Sequence, residues 1–65
     1  MTLNELEQIL RGNIVASIQW KDADGNCKEI LTHIHLIRYC DHDLLCSEVL
    51  RIDIKNNIVE IFLEV

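Results

Sequence analysis

The chain is predicted to be an α+β domain, one N-terminal helix packed on a four-stranded antiparallel sheet in an α-β-β-β-β meander. Three observations predict it. The first residues carry complete helix start and stop signals. The apolar period then switches from helical to two-residue after Gly12. The last third consists of two alternating runs around Asn56-Asn57.

The opening "TLNELEQILRG" places Thr2 where a helix cap belongs and Glu5 three residues later, the spacing of a capping box. Leu3, Leu6, Ile9 and Leu10 recur at helical period and should share one face. Arg11 suits the negative end of the helix dipole, and Gly12 can adopt the left-handed conformation that stops a helix. The expected helix is 3–11.

"NIVASIQW" then alternates, with Ile14, Ala16, Ile18 and Trp20 on one face of a strand at about 13–21. "KDADGN" is a polar turn around Gly25. It has the acidic spacing that opens a calcium loop, but Cys27 stands where that loop needs glycine, and no flanking helices are expected. A second strand is expected over 27–39. Its alternation is blurred, because Ile30, Ile34 and Leu36 fall on one face and Leu31, Ile37 and Tyr39 on the other. Strands of that kind are usually covered on both sides.

The last two strands are expected at 48–55 and 58–65. Asn tolerates positive φ, so Asn56-Asn57 can form a two-residue hairpin turn. That turn puts Ile54 opposite Val59, Ile52 opposite Ile61 and Leu50 opposite Leu63, all apolar and on one face. A slip of one residue would set these against Glu60 and Glu64, so the register is well specified.

Sixty-five residues make a single domain near the lower size limit for an independent core, which makes a homo-oligomer a natural expectation. Eleven acidic against six basic residues argue against a nucleic-acid partner. No apolar run reaches membrane-spanning length, and the N-terminus lacks a signal-like apolar core. With an odd number of cysteines, three, the chain reads as cytoplasmic with reduced thiols.

"LTHIHLIRYCDHDLLC" holds all three histidines and two of the cysteines. His33, His35, Cys40, His42 and Cys46 are ligand types that zinc accepts. They offer no C-x-x-C or H-x-x-x-H spacing, and ligand pairs along one extended strand would splay apart. Histidines on a wet sheet face and cysteines acting as small hydrophobes account for the same residues. Cys40, Asp41, His42 and Asp43 are adjacent in sequence and so point apart, unlike a catalytic constellation. No enzyme activity, metal or cofactor is expected. Arg38 and Tyr39 form a cationic-aromatic group suited to recognition, including that of a small anionic ligand such as a nucleotide held between subunits.

One helix of about three turns is roughly 14 Å long and covers only part of such a sheet. The expected interface is therefore the open sheet face, with Val49, Ile58 and Phe62 among charged neighbours and Trp20 at the edge, joined by Arg38 and Tyr39. The layout of a T-x-x-E-L helix, a strand ending in D-x-D-G and an L-L-x-x-E-V hairpin resembles small phage and mobile-element proteins of Gram-positive bacteria. That resemblance implies an interaction module that blocks a host protein or sequesters a small molecule, and it carries over no active-site residue. A protein-binding role is the first expectation, ligand sequestration the second, and a metal-stabilised fold the third.

Overall fold

The computed structural model describes Met1–Val65. Helix α1 spans Leu3–Ile9, followed by strands β1 (Val15–Lys21) and β2 (Cys27–His33). A 3-10 segment (Ile34–Tyr39) and a one-turn helix α2 (His42–Leu45) lead to strands β3 (Glu48–Lys55) and β4 (Ile58–Glu64). The chain is thus an α+β fold with an N-terminal helix and four strands, but the sheet is mixed. Its order is β2-β1-β4-β3, and β1 lies parallel to β4.

The expected meander fails between β2 and β3. Residues 34–39 leave the sheet as a 3-10 turn instead of prolonging the second strand to 39. Ile34 and Ile37, three apart, both point into the core, as does Leu44 of α2. This segment and α2 cross the covered face, so β3 enters on the far edge and β4 returns between β3 and β1. The placement suits composition. β4 is apolar on both faces at Ile58, Val59, Ile61, Phe62 and Leu63, whereas β3 carries Arg51, Asp53 and Lys55 and tolerates the edge.

α1 is capped as its sequence predicts. The Thr2 side chain accepts from the Glu5 amide at 3.2 Å, and the Glu5 carboxylate accepts from the Thr2 amide at 2.9 Å. The helix ends earlier than expected, at Ile9, and Ile9 is exposed while Leu3 and Leu6 are buried. Arg11 Nη1 donates to the carbonyls of Gln8 and Leu10, satisfying acceptors that the helix end leaves free. Gly12 has φ +103°, a conformation that other residues rarely adopt.

The core is one layer between the sheet and these short helical pieces. Leu3, Leu6, Ile34, Ile37 and Leu44 lie against Ala16, Ile18, Val59, Ile61 and Leu63. The hairpin turn forms at Asn56 (φ 52°) and Asn57 (φ 63°), with Ile54 opposite Val59 and Ile52 opposite Ile61. The third expected pair does not form. The ladder shifts between Val49 and Arg51, so Val49 faces Leu63 and Leu50 is the extra residue of a β-bulge. Val49 accordingly sits on the covered face, packed against the core, and not on the open face.

Candidate functional site

The open sheet face is polar at its centre. Ser17 lies beside Glu60 of β4 and opposite Leu31 of β2. Its hydroxyl donates to the Glu29 carboxylate, and Gln19 Nε2 donates to Ser17 Oγ and to Glu60 Oε2, each at 3.0 Å. Phe62 is half-buried on this face, with the Arg51 guanidinium 4.3 Å above its ring centre. Arg51 Nε also lies 3.1 Å from Asp53 Oδ2. These polar side chains satisfy one another at the centre of the face, with Leu31, 62% exposed, beside them.

The six interface candidates therefore separate. Ile58 and Phe62 share the open face with Arg51 and Lys55. Trp20, opposite Lys28, is half-buried against the core on the other face, as is Val49. Arg38 and Tyr39 leave the sheet with the 3-10 segment and point to different places. Arg38 Nη2 lies 3.4 Å from Glu7 Oε1 and lines a groove with Arg11, Gly12 and His35. Tyr39 is 76% exposed and stands over a separate notch.

That notch, about 430 Å³, lies between β2 and the segment that follows it. Ile30 and Thr32 of β2 form one wall, Leu36, Tyr39, Cys40 and Asp41 the other, and the buried Leu44 contributes from α2. Burial raises the pKa of the Cys40 thiol, and the neighbouring Asp41 carboxylate adds to the effect, so the sulfur is a neutral, weakly polar wall atom.

β2 is also an edge strand. The Asp22 amide donates to the Asn26 carbonyl and the Ile34 amide to the Ile14 carbonyl, which sets the phase of the β1–β2 ladder. In that phase Lys28, Ile30 and Thr32 bond to β1, and the backbone groups of Glu29 and Leu31 face outward. An unpaired edge thus runs beside an apolar notch. Sequence reasoning missed Ile30, Leu36 and Leu44 as a group. The one sequence signal is the Ile34-x-x-Ile37 spacing, which fits a 3-10 turn as well as a strand covered on both faces.

Four of the five metal candidates form two pairs, and Cys40 lies apart in the notch. The rings of His33 and His35 stack with centroids 5.4 Å apart where β2 ends. His42 Nε2 lies 3.4 Å from Cys46 Sγ, one helical turn on. Nowhere do three or more His, Cys, Asp or Glu side chains converge as a ligand set.

No helix is long and apolar enough to cross a membrane. The chain matches no protein-family model, and comparison with curated proteins and with solved structures found no similar protein.

Proposed function

We propose that this chain is a non-catalytic protein-interaction module that takes an extended segment of a partner protein along the free edge of β2. The observation that carries the reading is the unpaired backbone of Glu29 and Leu31 beside the notch of Ile30, Leu36, Tyr39 and Leu44. Strand addition supplies backbone hydrogen bonds, and a neighbouring pocket supplies side-chain selectivity. The segment would seat a large apolar side chain against Leu36 and Tyr39. The resemblance of its layout to small phage and mobile-element proteins supports inhibition of a host protein as its use.

Peptides selected for binding from a random displayed library test this reading. They should share a large apolar residue within a stretch of strand-forming residues. Leu36→Asp should weaken them at least about tenfold, equivalent to 1.4 kcal/mol. Ile54→Lys, on the opposite edge, should leave their affinity unchanged. Equal binding to the Leu36 variant, or no selectable binder, would remove the basis of the reading.

A second reading, capture of a small anionic ligand, rests on the groove where Arg11, His35 and Arg38 come together over about 540 Å³. Its cations are partly spent, Arg38 on Glu7 and Arg11 on helix carbonyls, and Tyr39 lines a different cavity.

A further inference from the structure

We infer that β3 is a self-complementary edge through which two copies of this chain pair antiparallel about Ile52, joining their sheets into one of eight strands. β3 ends the sheet, and its outer side is only partly occupied. The N-terminal residues cover its beginning, where the Val49 amide donates to the Met1 carbonyl and Thr2 bridges Glu48. Nothing pairs with the remainder.

That remainder is apolar on the covered face. Ile52 is 41% exposed and Ile54 78%, because the helical layer lies over β1 and β4 and stops short of the edge, and the bulge residue Leu50 beside them is 62% exposed. Lys55 and Ile58 close the two-residue turn and bond each other, so in the alternation that follows the backbone groups of Ile54 and Ile52 point outward. Outward amides and exposed side chains thus belong to the same residues.

The order of residues favours that axis over its immediate neighbours. Antiparallel pairing centred on Ile52 sets Ile52 against its own copy and Arg51 against Asp53 twice, and brings Ile54 to the bulge at Leu50. On the open face each Arg51 then has its own Asp53 beside it and the other copy's Asp53 across from it, a square of alternating charge. Moving the axis by one residue brings Arg51 onto Arg51, or Asp53 onto Asp53 with Arg51 onto Lys55. Like charges directly opposite are unfavourable. A half-step is ruled out because it opposes outward with inward backbone groups and covered-face with open-face side chains.

The strip is short beside the roughly 1,200 Å² at which stable interfaces begin, so association is concentration-dependent. Pairing at β3 leaves both β2 edges free, and it stands or falls independently of what binds there.

Sedimentation velocity over a wide concentration range tests it, with circular dichroism confirming that each variant is folded. The native chain should pass from monomer to dimer as concentration rises. Ile52→Lys should remain monomeric throughout. Arg51→Asp, which sets acid against acid twice, should raise the dimer dissociation constant at least tenfold. The exchanged pair Arg51→Asp with Asp53→Arg keeps opposite charges facing and should return it to within a few-fold of native. A monomer at every concentration would overturn the inference. So would a dimer indifferent to Ile52→Lys, or an exchanged pair as weak as Arg51→Asp alone.

Discussion

Val49, and not Leu50, lies opposite Leu63 across the β3–β4 ladder. The inserted Leu50 lets Val49 turn into the core at the sheet's end, while the pairs nearer the turn keep the register that the Asn56-Asn57 loop sets. Leu50 itself is 62% exposed. Leu50→Ala should therefore cost less than about 1 kcal/mol, whereas Ile61→Ala, at a fully buried site, should cost about 2–5 kcal/mol. Urea unfolding of the two variants, compared at equal dilute concentration, checks the contrast.

The hairpin turn offers a gain. Asn57 holds φ 63° with a side chain where glycine would be unrestrained. Asn57→Gly should stabilise the fold by roughly 0.5–1 kcal/mol, and Asn57→Val should destabilise it by more. Thermal melts of both variants measure this.

Acid should loosen both ends of the first half of the chain. Hydrogen bonding with the Thr2 backbone, then with its side chain, holds the Glu5 carboxyl below its ordinary value of 4.5. The Asn26 amide leads the bonds that hold Asp22 below 3.8, with Asp24 and Lys28 contributing. Both folded-state values are depressed, so the stability they contribute is present above the unfolded values. It is lost as pH falls through the lowered ones. Stability should be flat in these terms near neutrality and decline below about pH 4. Glu5→Gln and Asp22→Asn should each make the acid limb of a pH–stability curve shallower.

The thiols should react in a fixed order. Cys27 and Cys46 are exposed, while burial raises the Cys40 thiol pKa. Alkylation near neutral pH, followed by mass spectrometry of the fragments, should modify Cys40 last.

Much of the fold was legible where one short-range signal sufficed. Thr2 and Glu5 fixed the cap, the alternation through Ala16 and Ile18 fixed a strand, and Asn56-Asn57 fixed a turn. The crossover was not, because Ile34, Ile37 and Leu44 satisfy a buried pattern in several conformations. What decides is the tertiary need to bring β3 to the far edge. One wrong reading there turned a mixed sheet into a meander. The same error scattered the expected interface, since Arg38 and Tyr39 were assigned to a strand that ends at His33. The bulge at Leu50 moved Val49 for a similar reason. A two-residue period extrapolated from a turn carries no warning of an inserted residue.

A partner segment added to β2 would cover the outward backbone groups of its edge. Amide hydrogen exchange of the isotope-labelled chain, followed by NMR with and without a selected peptide, tests it most directly. The outward amides of Glu29 and Leu31 should exchange freely in the isolated chain and become protected when the peptide binds, with side-chain shifts at Leu36 and Leu44. Binding that leaves Glu29 and Leu31 exchanging as before, and shifts resonances around Arg11 and Arg38 instead, would contradict it.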